Sequence, residues 1–231
     1  MYATIPLKRL LIFLGWTFGI ILVAYIFLTG WPTDIAMATR KIGTAVTIWT
    51  LTLVVIFGPT DRRWAIWRLI WRMVPFLNRK IFPDLNGVWK GSTNSNWPSI
   101  SVMLEAAKGA GGLDQERLAT VPLKSDTITM TIKSSLFAFR ISARLDATGG
   151  TSHSLTERVS EDKRRGELEL YYVYRQDTPQ PELTDDDSHL GAACLTIDLS
   201  AAALNGAYWT KRSWRSGLNT AGLIDVQRIS R

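Results

Sequence analysis

Two histidines, His153 and His189, and a single cysteine, Cys194, are the whole imidazole and thiol complement of this 231-residue chain. Neither histidine stands at a metal-ligand spacing from a second ligand. The sequence holds no GxSxG elbow, phosphate loop or HExxH pair. Asp185 to Asp187 could be imagined as magnesium ligands, but three adjacent acids in the polar stretch Thr178–Ser188 read first as a solvated loop. Cys194 lies in an alternating stretch and reads as a small buried hydrophobe. One cysteine rules out a disulfide framework within the chain and fits a reducing compartment. The expectation is a binding protein, not an enzyme, with no metal or cofactor.

Lys and Arg number 27 against 20 Asp and Glu, an excess of +7 that first suggests nucleic acid. Its distribution argues otherwise. Residues 1–83 hold ten basic residues and two acids, a net of +8, while residues 84–231 carry 17 basic and 18 acidic residues. Six of the ten tryptophans also fall in the first 83 residues. No duplex nucleic acid is therefore expected, and the first third points to a lipid bilayer.

The elements that explain this begin at Leu10. Residues 10–28 carry no charge and would span roughly 28 Å as a helix, close to the hydrocarbon thickness of a bilayer. A signal peptide is the competing reading, but no small-x-small cleavage site follows; Thr29-Gly30-Trp31-Pro32 makes a turn instead. A second uncharged stretch, residues 42–60, contains Thr44, Thr47, Thr50 and Thr52 and is also long enough to cross. Residues 1–60 thus read as a hairpin of two transmembrane helices. Lys8 and Arg9 before it, and Arg62, Arg63, Arg68 and Arg72 after it, predict cytoplasmic N- and C-termini; Arg40 and Lys41 in the connection argue mildly against this. Gly15 and Gly19 form a GxxxG pair on which hairpins could associate. The threonines either bond between helices or bond their own backbone, the simpler alternative. Residues 61–83 read as an interfacial amphipathic helix and linker, with Trp64, Trp67 and Trp71 at headgroup depth. The competing reading packs those indoles on the following domain.

Residues 84–231 read as β. Thr127–Lys133 alternates Ile128, Met130 and Ile132 against threonines; Phe137–Leu145 alternates likewise; Glu167–Arg175 puts Leu168, Leu170, Tyr172 and Tyr174 on one face. Further strands are expected at Val88–Ser92, Ile100–Ala106, Leu155–Val159, Leu190–Asp198, Asn205–Lys211 and Gly222–Ile229, with turns at Gly149-Gly150, Arg165-Gly166 and Asn205-Gly206. Eight or nine short strands predict an all-β antiparallel barrel of about eight strands, lipocalin-like, with room for packed side chains or one small ligand.

The order of parts carries a resemblance. PDLNGVWKGS at Pro83–Ser92, YYVYRQDTPQ at Tyr171–Gln180, SHLGAACLTID at Ser188–Asp198, LNGAYWTKR at Leu204–Arg212 and the closing AGLIDVQRI follow two membrane spans. Together they resemble the two-transmembrane β-barrel effectors of bacterial CBASS anti-phage defence, the CD-NTase-associated protein 15 family. The chain departs from the family's pattern at Tyr174-Arg175-Gln176-Asp177-Thr178-Pro179 and in a long insert around Trp214–Thr220. The resemblance implies a multi-pass protein of the bacterial inner membrane. Its barrel would bind a cyclic dinucleotide made by a partner nucleotidyltransferase, homo-oligomerise and disrupt the membrane, killing the cell.

A cyclic dinucleotide needs cations for its phosphates and aromatic faces for its bases. On that implication the candidates are Trp89, Arg140, Tyr172, Tyr174, His189, Tyr208 and Arg212. Each has a structural alternative: Trp89 as a barrel-floor plug, Tyr172 and Tyr174 as core, Arg140 as solvent-facing, His189 as a loop residue. The alternative function is a membrane-anchored, lipocalin-like carrier of a lipid or hydrophobic metabolite, which would need an apolar cavity.

Overall fold

The computed structural model describes residues 7–57, 65–109, 112–135, 138–179, 181 and 186–230. The last residues of the second predicted span, together with Trp64, Phe137 and Asp185, lie outside that set. The chain divides into two compact units, one running to Asp84 and including Ser135 and Ala138, the other a β-barrel from Leu85 onward.

The first unit starts with α1 (Leu7–Thr29) and α2 (Ile35–Phe57), two apolar helices each long enough to cross a membrane. α2 begins seven residues before the predicted span. The cause is local: the Met37 amide donates to Asp34 Oδ1 at 2.7 Å, an N-cap that starts the helix early. Arg40 and Lys41 consequently lie on the helix, not in the connection. The Lys41 ammonium donates to the Thr29 carbonyl and hydroxyl and to the Gly30 carbonyl at 2.6–3.0 Å, satisfying the C-terminal end of α1. Between the helices, Trp49 Nε1 donates to Thr17 Oγ1 at 3.0 Å, and the Phe18 and Trp49 rings meet edge to face. Thr44, Thr47, Thr50 and Thr52 each donate to the carbonyl four residues back, so they bond their own helix. A Cβ built on Gly15 or Gly19 meets nothing within 4 Å, so α2 does not occupy that face.

After α2 come α3 (Ile66–Met73) and α4 (Leu77–Lys80). Trp67 and Trp71 turn inward, contrary to the expectation that they reach headgroups. Trp67 and Trp71 are 0% and 4% exposed, and both rings lie 5.0 Å from that of Phe82. Trp71 Nε1 donates to the Phe82 carbonyl at 2.8 Å, and Arg68 pairs with Asp84 at 3.1 Å. An indole that has found a buried ring and a carbonyl in its own linker is not available to lipid.

The second unit is a closed antiparallel barrel in which each strand pairs with the next and β8 returns to β1. Its strands are β1 (Gly87–Ser95), β2 (Lys124–Ser134), β3 (Phe139–Leu145), β4 (Thr151–Asp162), β5 (Glu167–Asp177), β6 (Ser188–Asp198), β7 (Ala203–Thr210) and β8 (Ala221–Ser230). Alternation works as predicted in β2 and β5, whose Ile128, Met130, Ile132, Leu168, Leu170, Tyr172 and Tyr174 are buried. Three local readings change. Residues 100–106 are helical, in α5 (Trp97–Ala107), because Pro98 opens the first turn and Ser95 Oγ accepts from the Trp97 amide; α6 (Gln115–Thr120) follows. Asn205-Gly206 is not a turn but the middle of β7, where a Cβ on Gly206 would sit 2.1 Å from the Cys194 carbonyl oxygen. Cys194 is half-exposed, since its neighbours Ala193 and Leu195 are the buried ones.

The end where the chain enters the barrel is shut. Trp89 is 1% exposed, donates from Nε1 to the Leu85 carbonyl at 3.0 Å, and carries the Arg228 guanidinium 4.5 Å above its ring. Beside it the Asn86 amide donates to the Ser134 carbonyl at 2.8 Å and accepts from the Ser134 amide at 2.6 Å, doing the work of a strand neighbour. Replacing Asn86 by Ala strips both buried backbone groups. It should cost about 2–4 kcal/mol, given ~1–3 kcal/mol for each unsatisfied buried group. Urea denaturation of the full chain in detergent, followed by tryptophan fluorescence, measures this; an unchanged midpoint contradicts it.

Candidate functional site

Going up the barrel from Trp89, the inward side chains change from aliphatic to polar. Met130, Leu170, Leu195, Leu204 and Val226 fill the lower interior with no more than 0% exposure each. Above them Tyr172, Tyr174 and Tyr208 lean into a cavity of about 300 Å³ at the opposite end. That volume is at the low end of the range for small-molecule sites, roughly 300–1,000 Å³.

Tyr172 and Tyr174 project from β5, their ring centroids 5.7 Å apart. Tyr174 can lie against β6 only because its partner there is Gly191; a Cβ on that glycine would stand 2.3 Å from the ring. Burial pushes the phenols of Tyr172 and Tyr174 far above the ordinary tyrosine range. Burial also raises Tyr208, while Ser95 and the Arg212 charge pull the other way and Asp126 adds to the rise. All three are therefore neutral hydrogen-bonding groups at neutral pH.

The cations stand at the rim. Arg212 follows β7 and places its guanidinium carbon 5.0 Å from the centroid of the Trp97 ring, a cation–π contact at the edge of the cavity that both residues line. Lys124 opens β2 on the same rim. Asp126 is the acidic side chain lining the cavity, so the described lining carries two permanent cations and one acid. Asp186 ties two rim loops together by accepting from the Ser213 amide and hydroxyl, both at 2.8 Å. Those two bonds, with the nearby charges of His189 and Arg212, hold its carboxyl below the usual range. Deeper, Thr210 and Thr220 share a hydroxyl–hydroxyl bond of 2.9 Å. Thr178 is 4% exposed, and its hydroxyl has no partner among the described residues.

The structure thus brings together five of the seven side chains that the sequence put forward: Tyr172, Tyr174, His189, Tyr208 and Arg212. It separates the other two. Trp89 is the floor plug at the closed end, and Arg140 is exposed beside the buried Ile141 on β3. Several lining residues went unnamed. Asp126 and Gln176 were legible, because they continue the two-residue alternation of Ile128–Met130 and Tyr172–Tyr174. Trp97 was not, because it belongs to a helix that the pattern disguised as a strand. No group of three His, Cys, Asp or Glu able to hold a metal occurs among the described residues.

With that geometry in place, comparison with known proteins is specific. Residues 110–228 match the family described as Cap15, cyclic dinucleotide receptor domain. The chain belongs to the Cap15 family. CD-NTase-associated protein 15 of Escherichia albertii is 30% identical over 186 residues, covering 79% of this chain and 78% of that protein. The Cap15 match takes in β2 to β8 and so most of the cavity wall; Thr93, Ser95 and Trp97 complete it from outside the matched residues.

The buried phenols make the Cap15 barrel sensitive to alkali. Their folded pKa values lie above the unfolded value of about 10, so the stabilisation they confer is complete below that pH and is lost as pH rises past it. A Tyr172→Phe/Tyr174→Phe variant should lose stability less steeply than wild type between pH 9 and pH 12. Urea midpoints across that range test this, and parallel curves contradict it.

Proposed function

We propose that this chain is the membrane effector of a CBASS anti-phage system. The barrel takes up a cyclic dinucleotide made by a partner nucleotidyltransferase, copies associate, and their hairpins breach the bacterial inner membrane. The observation that carries the reading is the composition of one cavity: neutral tyrosines within, two of them in tilted ring contact, and Arg212 and Lys124 at the mouth. A ligand with two bases and two phosphates asks for both. The membership in a family of cyclic dinucleotide receptors supports it, as do the two apolar helices. A lipocalin-style carrier needs an apolar interior, whereas this cavity sets Lys124, Asp126, Gln176, His189 and Arg212 among apolar side chains such as Ile128, Leu145 and Ile224.

In this reading Arg212 bonds a phosphate, Lys124 supplies the second charge, and the tyrosines take the bases against their faces. His189 and Thr178 are polar groups at the wall that fix the ligand's orientation. The barrel is otherwise close to neutral, so the two rim cations act without a diffuse basic surface. Ligand drives assembly only through its higher affinity for the assembled state. The open face at Gly15 and Gly19 is where hairpins of neighbouring copies approach. Both termini are cytoplasmic, which puts the receptor on the side where the nucleotide is made.

Vesicles reconstituted with the full chain and loaded with a self-quenched dye test the proposal. A panel of cyclic dinucleotides should contain one that triggers leakage; failure of every member contradicts the reading. Arg212→Ala should raise the half-maximal dose roughly 10- to 100-fold, the worth of one charge-assisted hydrogen bond of ~1.5–3 kcal/mol. Gly15→Leu should leave ligand binding intact and reduce both leakage and the ligand-induced oligomer seen on native gels. An unchanged oligomer would contradict the role given to that face.

A further inference from the structure

The inward turn of Trp67 and Trp71 leaves the other side of α3 facing out. Ile66, Leu69, Ile70 and Met73 recur at three and four residues, and all are exposed, Met73 by 82%. Beyond the helix the same exposure continues at Val74 and Phe76, the latter 62% exposed. Arg72, Arg79 and Lys80 are exposed alongside, with the Lys80 ammonium 5.8 Å from the Phe76 ring. An apolar stripe of this length, with cations at its margin, is the composition of a helix lying at a lipid headgroup boundary.

What covers it follows from the unit to which it belongs. α3 packs against α2, and only residues 58–65 separate the two helices, a reach of no more than roughly 30 Å even if fully extended. A helix held against a membrane span has the bilayer surface as its nearest apolar phase. The margin of the stripe carries cations and no acid: from Ile66 to Lys80 there is no Asp or Glu. That bias suits anionic phosphates better than a second copy of the same cationic stripe, which would bring like charges together. The opposite face is already spent on Phe82 and on the buried Arg68–Asp84 pair.

We infer that α3, together with Phe76 just beyond it, is a surface anchor which docks on anionic lipid through Ile66, Leu69, Ile70, Met73 and Phe76, with Trp67 and Trp71 facing the protein. This rests on the hairpin crossing the membrane. Docking fixes the linker in the plane of the bilayer, so that α3 and the Phe82–Asp84 segment stapled to it form a rigid platform at the surface.

The test uses the full chain in a Cys194→Ala background, reconstituted in phosphatidylethanolamine–phosphatidylglycerol vesicles. A single environment-sensitive fluorophore is placed at Met73→Cys or, separately, Phe76→Cys. Both probes should be quenched by nitroxide-labelled lipid, and quenching by aqueous iodide should be roughly threefold weaker than at Lys163→Cys in an exposed turn. Iodide quenching equal to that at Lys163→Cys overturns the inference. So does protection from both iodide and labelled lipid, which would mean that another protein surface covers the stripe. A probe at Ile20→Cys on α1 separates the two claims. If it escapes the labelled lipid, the hairpin reading fails; if it is quenched while Met73→Cys is not, only the anchor fails.

Discussion

Closure of the sheet is the constraint on which the rest depends. An eight-stranded barrel has an interior just wide enough for a packed column of side chains or for one small ligand. Every inward position is therefore a choice between core and site, made by residue type. In the lower half the choice is core: Trp89, anchored to the Leu85 carbonyl and capped by Arg228, shuts the floor, and aliphatic side chains fill the space above it. In the upper half the same strands add tyrosine, serine, threonine and glutamine to aliphatic residues such as Ile128, Leu145 and Ile224. With Trp89 plugging one end, the described cavity lies at the other, where Lys124 and Arg212 stand.

Close packing also explains how tyrosines can be core and site at once. Tyr174 lies over Gly191, which has no side chain to resist it, so the ring is supported from behind and presents its other side to the cavity. Arg212 is held in an analogous way by the Trp97 ring. Both are groups whose conformational freedom is already spent before a ligand arrives, so little of the binding free energy goes into ordering them. Charge follows the same economy. The excess of positive charge belongs to the first third of the chain, and the near-neutral barrel carries two cations, Lys124 and Arg212, in the cavity wall.

Much of this was legible in the sequence where one period governs the chain. Strand β2 alternates cleanly and β5 does so from Leu170 onward, and extending their alternation by one step gives Asp126 and Gln176 as well as the tyrosines. The sequence misleads where two signals coincide. Ile100, Val102, Leu104 and Ala106 alternate like a strand, yet Pro98 in the first turn makes them a helix, and Trp97 was lost with it. Asn-Gly is a strong hairpin signal, but Gly206 is where β7 passes over the Cys194 carbonyl too closely for any side chain. The inward turn of Trp67 and Trp71 depends on Phe82, more than ten residues downstream of either, and no periodicity within one helix can announce such a partner. Boundaries failed for a related reason: the Asp34 cap starts α2 before the apolar run does.

Everything proposed for this protein turns on whether the open end of the barrel receives a cyclic dinucleotide. Equilibrium titration of the full chain in detergent with a panel of cyclic dinucleotides tests it most directly. At least one of them should saturate at one ligand per barrel, with affinity falling as salt rises if rim cations meet its phosphates. If none saturates, or if the ligand that does is bound equally well when Tyr174 is displaced by Gly191→Leu, the cavity is not the receptor site.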